Sequence, residues 1–361
     1  MLGSKEYPFN SGSAYERRPS GGIEKHVDKL SKYLSKNGHD VHIITRKFPG
    51  QKSKEDCGRI HVYRTFYIPN RYLRAFTFNM FGFLKAFYIA NRVDIIHCHA
   101  PIAGFFGAIV SKLTGKPMVF TPHGLIVGWK IPLKTILKLF EHISLKSAKR
   151  VIFVSDIARK KLARKNPNNT LLTNAIDLDD YTFGRRKWKE IRFIFLGRLE
   201  RFKGIMNILE AFEMLIDRYP NTKLIICGDG SERKRVIEFI ESKNIKKKTE
   251  FIGWTNEPEK ILSRSDVFLL PSSESGQPIA LLEAMASGKI IITSLPYIQD
   301  GKTGLLVKPE DTKELYRKML YVCKNFNKCL ALGKNARNAV KKLSWDHVIK
   351  RFIEEYEKAI A

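Results

Sequence analysis

Residues 192–218 read RFIFLGRLERFKGIMNILEAFEMLIDR, and this stretch contains the structural unit from which the fold class is inferred. The run Arg192–Leu196 is short, apolar and rich in Phe and Ile, which predicts a buried β-strand. In Ile205–Arg218 the apolar residues recur at helical spacing, so this segment predicts an amphipathic helix. A basic loop bounded by Gly197 and Gly204 connects the two. A buried strand followed directly by a helix is the repeating unit of a parallel, doubly wound sheet.

The same alternation of strand and helix runs through the whole chain of 361 residues. The other predicted strands are Val41–Thr45, Ile60–Arg64, Asp94–Cys98, Met118–Thr121, Val151–Val154, Leu171–Leu172, Lys223–Cys227, Glu250–Ile252, Val267–Leu270, Ile290–Thr293 and Gly304–Val307. Because the chain is too long for one comfortable core, we expect two α/β domains, residues 1–178 and 179–342, divided near the polar stretch Asp179–Glu190.

The amino-acid composition limits the class of protein to which this chain can belong. Hydrophobic residues make up 43% of the chain and charged residues 28%, a globular profile. Five cysteines with no close pair favour free thiols in a reducing compartment over a disulfide or zinc framework. No apolar run is long enough to span a bilayer, and the first residues do not show the charged-then-apolar pattern of a signal peptide. We therefore expect a cytoplasmic protein, able to contact a membrane from that side.

The net charge of +28 requires an explanation, either a partner of opposite charge or the habitat of the organism. The first 180 residues carry 30 Lys and Arg against 13 Asp and Glu, so the excess is larger in the first half. Nucleic acid, anionic lipid and phosphorylated substrates all fit this charge. Because the chain contains no recognisable nucleic-acid-reading module, no specific nucleic acid is expected.

Two segments contain the candidate functional residues, and both follow a predicted strand. In the loop after Leu196, Arg198 offers a planar fork of donors and Lys203 a point charge, beside the start of a helix. These two cations suit a diphosphate whose charge grows as its bond to a sugar breaks. A solvated basic loop is the alternative.

The second segment, residues 272–286, reads SSESGQPIALLEAMA. A helix is predicted to begin near Pro278, which suits a first helical turn, and its backbone N–H groups can receive phosphate oxygens. Glu283 lies inside this helix, where a carboxylate can hold two adjacent ribose hydroxyls. Taken alone, Glu283 is equally well explained as a structural carboxylate near the start of the helix, with its hydrogen bonds satisfied there.

These segments belong to an ordered set of motifs. The others are SGGIEKH at 20–26, GHDV at 38–41, DIIH at 94–97, TPHG at 121–124, VS at 154–155, TNAID at 173–177, DGKTGLLV at 300–307 and LSW at 343–345. The set resembles the family 4 glycosyltransferases of the GT-B fold over nearly the whole chain. The resemblance implies two facing Rossmann-like domains with parallel sheets and an interdomain cleft. It also implies that residues 343–361 form a helix that packs back on the N-terminal domain.

The same resemblance implies transfer of a sugar from a nucleotide-diphosphate sugar, bound mainly by the C-terminal domain, with retained anomeric configuration. The leaving diphosphate would accept the proton of the attacking hydroxyl, so the reaction needs no protein nucleophile, no metal ion and no cofactor besides the nucleotide sugar as co-substrate. The acceptor, a glycan or a lipid-linked or polyanionic molecule, would be bound by the N-terminal domain.

The resemblance also assigns roles to residues. Arg198, Lys203, His123 and Glu274 are the catalytic candidates, and His123 would lie near the transferred sugar. The candidates for binding the nucleotide sugar are Gly21, Gly22, Gly276, Gln277, Pro278, Ile279 and Glu283. The two glycines of the first domain would let the backbone approach the phosphates closely.

Several features depart from the family pattern. Glu274 stands one position earlier than the family's first motif glutamate, where this chain has Ser275, and the loop 293–300 is short. Met1–Gly3 reads as the end of a first strand, so either translation starts upstream or this strand is unusually short. Two alternatives stay open: a non-catalytic GT-B homologue that binds nucleotide or membrane, and a GT-B nucleotide-sugar epimerase.

Two more features have competing interpretations. His97 and His99 flank Cys98, but no fourth ligand follows at zinc spacing, so lining of the site or packing is favoured over a metal. The aromatic, basic stretch Tyr72–Lys85 and the amphipathic segment Trp129–Arg150 are explained either by ordinary core packing with a solvated basic face or by docking on an anionic membrane.

Overall fold

A computed structural model describes residues 22–70, 73–123, 133–182, 188–273 and 278–361. The predictions for Met1–Gly3, Gly21, Glu274, Gly276 and Gln277 lie outside the described residues. The chain divides into two compact units, which we call unit 1 (residues 1–174 and 345–361) and unit 2 (residues 175–344). Their boundaries lie four and two residues from those expected from sequence.

The strands have the following bounds. They are β1 Val41–Arg46, β2 Lys54–Cys57, β3 Ile60–Thr65, β4 Ile96–His99, β5 Met118–Thr121, β6 Arg150–Phe153, β7 Asn169–Leu171, β8 Ile191–Leu196, β9 Thr222–Cys227, β10 Thr249–Gly253, β11 Val267–Leu270, β12 Ile290–Thr293 and β13 Leu305–Leu306. The first seven belong to unit 1 and the rest to unit 2.

The helices alternate with these strands. They are α1 Gly22–Lys36, α2 Arg74–Ile89, α3 Pro101–Thr114, α4 Leu133–Ser147, α5 Asp156–Leu162, α6 Ile205–Ile216, α7 Arg233–Ser242, α8 Pro258–Leu262, α9 Ile279–Ala286, α10 Thr312–Lys324, α11 Phe326–Val340 and α12 Trp345–Ile360. Short 3-10 turns fill several of the connections.

Among the described residues of unit 1, β4, β5, β6 and β7 form a parallel sheet in that order. A second group has the order β1-β3-β2, in which β1 and β3 run parallel and β2 antiparallel. Strand β2 was not predictable from its own residues, because KEDC is polar and shows no apolar alternation. This strand is held by backbone pairing with β3 and not by burial of its side chains.

Unit 2 contains one parallel sheet with the strand order β10-β9-β8-β11-β12-β13. Counted from β8, this is the order 3-2-1-4-5-6 of doubly wound nucleotide-binding sheets. Helix α6 buries Ile205, Ile208, Phe212 and Leu215 completely, which is the helical spacing predicted for it. Each such side chain stabilises the fold by roughly 1.5–3 kcal/mol relative to exposure.

The last helix, α12, belongs to unit 1, where it packs on α1, β5 and β6. It buries Trp345 and Phe352 almost fully, at 2% and 0% exposure. Arg150 in β6 donates from Nε and from a terminal nitrogen to the Glu355 carboxylate of α12, at 2.7 and 2.5 Å. The end of the chain therefore completes the core that the first half of the chain begins.

Candidate active site

The strand order of unit 2 places its candidate site. In an open parallel sheet, ligands bind beyond the carboxyl ends of the strands where the winding reverses. Here the winding reverses between the neighbouring strands β8 and β11, which pair in parallel. The loops that leave these two strands are Gly197–Gly204 and the segment after Leu270. These are the two segments that the sequence analysis selected for chemistry.

The loop after β8 is tightly packed against the loop after β9. A Cβ atom on Gly228 would lie 1.8 Å from the carbonyl oxygen of Gly197, so no other residue fits there without a shift of the backbone. The amide of Leu199 also donates to the carbonyl of Asp229 at 3.0 Å. These contacts fix the backbone on both sides of Arg198.

The two predicted cations of this loop lie around one aromatic ring. Cζ of Arg198 is 5.6 Å from the centroid of the Phe202 ring, and Nζ of Lys203 is 5.3 Å from it. Both distances are within the range of a cation–π interaction. Phe202 therefore positions both charges, although the sequence analysis gave this residue no role. Lys203 is buried, at 8% exposure, so its charge acts in surroundings that screen it less than water does.

The carbonyl oxygen of Phe202 ties this loop to the segment after β11. It accepts hydrogen bonds from the amide of Ser273 at 2.9 Å and from the hydroxyl of Ser272 at 3.1 Å. Gly204, with a φ of +74°, passes so close that a Cβ atom there would lie 2.5 Å from the carbonyl oxygen of Pro271. The two loops at the winding reversal are thus joined through their backbones.

The second carboxylate candidate lies inside α9. Glu283 is 3% exposed, and the buried hydroxyl of Tyr181 hydrogen-bonds to it. Burial and this neighbouring carboxylate raise the pKa of Tyr181, so Tyr181 stays protonated and donates. Sequence reasoning missed this pairing, because Tyr181 stands 102 positions before Glu283 and carries no motif.

The start of α9 differs by one residue from the prediction. The helix begins at Ile279, and Pro278, with ψ of 137°, precedes it in an extended conformation instead of forming the first turn. The side chain of Pro278 does not cap the helix. The Pro278 ring fixes φ near its helical value, but ψ still has to change before the first helical residue. Ile279 is therefore the first helical residue of the predicted phosphate-binding segment.

Unit 1 contains a cluster of histidines around His123, which follows β5. Nε2 of His123 lies 2.9 Å from Nδ1 of His99 at the end of β4, and the ring of His26 in α1 meets that of His123 edge to face, with centroids 5.0 Å apart. Burial, together with His26 and His97 nearby, holds the pKa of His123 well below its ordinary value. His123 is therefore neutral at physiological pH and can donate or accept a hydrogen bond, but it does not supply positive charge.

His97 has a structural role. Its Nδ1 lies 2.8 Å from the hydroxyl of Tyr356 in α12, and its Nε2 lies 2.8 Å from Oγ1 of Thr121. Both ring nitrogens are thus engaged inside the core, in agreement with the packing interpretation of this residue. His26 was quoted only as part of a motif; its place on the buried face of α1, four positions before Leu30, is the signal that could have drawn attention to it.

The described residues include one histidine set with metal-ligating geometry. One nitrogen each of His26, His99 and His123 lies within 4.8 Å of the others. Nε2 of His99 is buried and makes no hydrogen bond within the described residues, and the buried ring of His26 has the side chain of Asn174 as a hydrogen-bonding neighbour. Three neutral imidazoles are ligands that Zn²⁺ accepts. The same buried nitrogens can equally hydrogen-bond to hydroxyl groups of a bound sugar.

The remaining predicted residues are placed as follows. Gly22 is the first residue of α1 in unit 1, the same unit as His123. Arg198, Lys203, Pro278, Ile279 and Glu283 all belong to unit 2. The structure joins Arg198 and Lys203 through Phe202, and it places Glu283 beside Tyr181.

Comparison with known proteins identifies the family. The model of Glycosyltransferase Family 4 matches residues 20–180, and that of Glycosyl transferases group 1 matches residues 183–339. An uncharacterized glycosyltransferase of Methanocaldococcus jannaschii is 25% identical, over 96% of this chain and 96% of its own. The UDP-Gal:alpha-D-GlcNAc-diphosphoundecaprenol alpha-1,3-galactosyltransferase of Escherichia coli is 29% identical, over 56% of this chain and 58% of its own.

Comparison with solved structures agrees with this family assignment. Sucrose-phosphate synthase from Thermosynechococcus elongatus superposes with a TM-score of 0.82 at 21% identity, covering 94% of each chain. The predicted GT-B class is thereby confirmed, as is the predicted glycosyltransferase class of enzyme. The two matched family models together cover most of the sequence, and this chain belongs to the family 4 glycosyltransferases of the GT-B fold.

Proposed function

We propose that unit 2 binds a nucleotide-diphosphate sugar beyond β8 and β11, and that the enzyme transfers the sugar with retention to an acceptor bound by unit 1. The observation that carries this proposal is the position of Arg198 and Lys203. Both cations lie around the ring of Phe202, in the loop where the winding of the sheet reverses. A diphosphate is the ligand that such a pair at such a place suits best.

The reaction follows from this arrangement. As the bond between the anomeric carbon and the diphosphate oxygen breaks, negative charge grows on the diphosphate, and Arg198 and Lys203 stabilise it. The acceptor hydroxyl forms the new bond from the same face and passes its proton to the leaving diphosphate oxygen. The configuration is retained because bond breaking and bond formation share one face. Positioning and charge stabilisation then supply the catalysis, without a protein nucleophile, a cofactor or a metal ion.

Other residues complete the proposed donor site. Glu283 would hold the ribose hydroxyls, with Tyr181 fixing the orientation of its carboxylate. The backbone of Gly276, Gln277, Pro278 and Ile279 would line the sugar and phosphate pocket at the start of α9. Glu274, from the segment before it, would take the catalytic role of the family's first motif glutamate. In unit 1, Gly21 and Gly22 would approach the phosphates, and neutral His123 would hydrogen-bond to the transferred sugar.

The acceptor is proposed to be lipid-linked or otherwise polyanionic, in glycan or glycolipid synthesis at the cytoplasmic face of a membrane. The name of the Escherichia coli relative describes transfer to a sugar on a lipid diphosphate. The larger positive excess in the first half of this chain suits such an acceptor.

A thermal-shift and hydrolysis screen over nucleotide sugars tests the donor site. We expect wild type to respond to one donor, and Arg198→Ala and Glu283→Ala to lose most of that response. For Arg198→Ala, loss of a charge-assisted hydrogen bond, worth about 1.5–3 kcal/mol, weakens donor binding about 10- to 100-fold. Arg201→Ala is the matched control, because Arg201 is an exposed cation of the same loop. Equal binding by all four proteins would exclude this site, and turnover of the donor to an epimer without acceptor would indicate an epimerase.

A further inference from the structure

Helix α2 of unit 1 carries apolar residues on both its buried and its exposed face. The buried residues are Thr77, Phe78, Asn79, Gly82, Ala86 and Ile89. Thr77 donates to the carbonyl of Leu73 at 2.9 Å and Nδ2 of Asn79 donates to that of Ala75 at 2.7 Å, while Oδ1 of Asn79 is buried without a hydrogen-bond partner among the described residues. The exposed large apolar residues of this region follow helical spacing, and they are Leu73, Phe76, Met80, Leu84, Phe87 and Tyr88. An apolar stripe on the solvent side of a helix indicates a surface that something else covers.

The chain before α2 extends this stripe. Phe66 is 60% exposed and Ile68 is 38% exposed, while Leu84 and Tyr88 on the helix reach 57% and 71%. A groove of about 320 Å³ lies between these segments, lined by Phe66, Phe81, Leu84, Tyr88 and the stems of basic side chains. Of the fifteen exposed large apolar residues in the described part of the chain, eight fall between Phe66 and Tyr88. We call these eight side chains the α2 patch.

Charge identifies what covers the α2 patch. From Cys57 to Val93 the sequence contains no Asp or Glu, but it contains six basic residues: Arg59, Arg64, Arg71, Arg74, Lys85 and Arg92. Two of these already pair with carboxylates, Arg64 with Glu55 at 2.7 Å and Arg59 with Asp40 at 3.4 Å, so the charge argument rests on the others. Arg74 is exposed at the first turn of α2. Nζ of Lys85 lies 5.2 Å from the ring centroid of Tyr88, within the patch itself. The covering surface must therefore be apolar and negatively charged at once.

An anionic lipid leaflet meets both requirements, since its headgroups carry negative charge above a hydrocarbon layer. A second copy of this chain does not, because two α2 patches facing each other would oppose basic residues of the same sign. At about 24 Å, a helix of 16 residues can lie along such an interface. In the described part of the chain, no helix combines the length and hydropathy needed to cross a bilayer.

We propose that the α2 patch docks unit 1 on an anionic membrane, with its aromatic and aliphatic side chains inserted below the headgroups and Arg74 and Lys85 at the phosphate level. This inference deepens the proposed function, since it names the surface that brings the acceptor-binding unit to a lipid-linked acceptor. Within the predicted stretch Tyr72–Lys85, Phe78 and Gly82 are buried, whereas Phe76, Met80 and Leu84 are exposed and belong to the proposed docking surface. Membrane binding itself requires neither donor nor acceptor.

Flotation with vesicles tests the docking surface without any nucleotide sugar. The vesicles are phosphatidylcholine alone, or phosphatidylcholine mixed with phosphatidylglycerol, at physiological salt. We expect wild type to float only with the mixed vesicles. The double variant Leu84→Ser/Tyr88→Ser should lose flotation, and Arg74→Glu should lower the partition coefficient at least about fivefold, the effect of one basic charge near an anionic surface.

The matched controls are in unit 2. Tyr321→Ser/Leu330→Ser removes two apolar side chains of similar exposure, and Lys313→Glu reverses another exposed charge, so both should float as wild type does. Loss of flotation in the controls to the same extent, or no binding of wild type to mixed vesicles, overturns the proposal. A wild-type dimer that Leu84→Ser/Tyr88→Ser converts to monomer, without vesicle binding, identifies a second copy as the occupant instead. Donor hydrolysis by the α2 variants should stay at the wild-type level, so failure of docking is distinguishable from failure of the proposed donor site.

Discussion

The hydroxyl of Tyr356 lies 2.8 Å from Nδ1 of His97, although 259 positions separate the two residues in the sequence. Both groups are buried, and the other nitrogen of His97 is engaged by Thr121. The last helix thus satisfies a polar group in the sheet of unit 1 and fixes the ring next to His99, whose centroid is 4.1 Å away. This contact links the end of the chain to the histidine cluster.

Tyr356→Phe should destabilise unit 1 without changing its shape. The variant keeps the ring but leaves a buried nitrogen of His97 without its partner, which costs about 1–3 kcal/mol. Urea unfolding measures this change in the free energy of unfolding. Tyr321→Phe, at an exposed position of α10, is the control and should change little. An unchanged unfolding midpoint for Tyr356→Phe would show that the hydrogen bond contributes nothing to stability.

Stability should fall on acidification because of the buried histidines. Burial lowers the pKa of His26 from 6.5 to about 4, and burial holds the pKa values of His97, His99 and His123 well below 6.5. Burial, with His61 nearby, lowers that of His42 to about 4 as well. As the pH falls below 6.5, the unfolded chain binds protons that the folded chain does not. Each such histidine therefore removes about 1.4 kcal/mol of stability per pH unit until its folded pKa is reached.

The contribution of one histidine can be isolated. His26→Gln should reduce the slope of the free energy of unfolding against pH between pH 6.5 and 4. The reduction should be about 1.4 kcal/mol per pH unit, the contribution of one bound proton, whatever the effect on absolute stability. His39→Gln, at an exposed position, is the control. Urea titrations across this pH window provide the measurement. Identical slopes for His26→Gln and wild type would contradict the assignment.

Two glycines of unit 2 offer a matched test of the loop that carries Lys203. Gly204 and Gly253 have nearly the same φ, +74° and +76°, but only Gly204 has a backbone atom in the way of a Cβ, whereas Gly253 has open space. Gly253→Ala should cost about 1–2 kcal/mol for the left-handed conformation alone. Gly204→Ala should cost about 1–3 kcal/mol more for overpacking against Pro271.

Gly204→Ala should also weaken donor binding, because relief of the contact displaces the loop that presents Lys203. Gly253→Ala should bind the donor as wild type does. Calorimetric titration with the nucleoside diphosphate, next to urea unfolding, separates the two effects. If both variants lose stability equally and bind equally well, the contact between the loops after β8 and β11 has no role in the site.

Sugar transfer should persist in EDTA. The proposed site neutralises the diphosphate with Arg198 and Lys203, so that no divalent cation is needed. Measuring the transfer rate before and after chelation checks this expectation. Loss of activity that Zn²⁺ restores in wild type, but not in His26→Gln, would instead assign His26, His99 and His123 as a metal site.

Much of the fold was predictable because its signals are local. The bounds of β11 and β12 were predicted to the residue, since each is an apolar run bounded by turn residues. The start of α9 was placed one residue early, which is the usual precision of such boundaries. The strand β2 was missed, because pairing with β3 and not its own composition makes it a strand.

Local patterns were enough to place most of the strands and helices, and to put Arg198 and Lys203 in a loop at the end of a strand, because apolar periodicity and turn chemistry act over a few residues. Long-range folding was needed to make β8 and β11 neighbours, to bring Tyr181 into a hydrogen bond with Glu283, and to pack α12 into unit 1. It also decided that the apolar stripe of α2 faces outward. These outcomes depend on contacts between distant segments, where many pairings compete for the same buried surface and no local pattern selects among them.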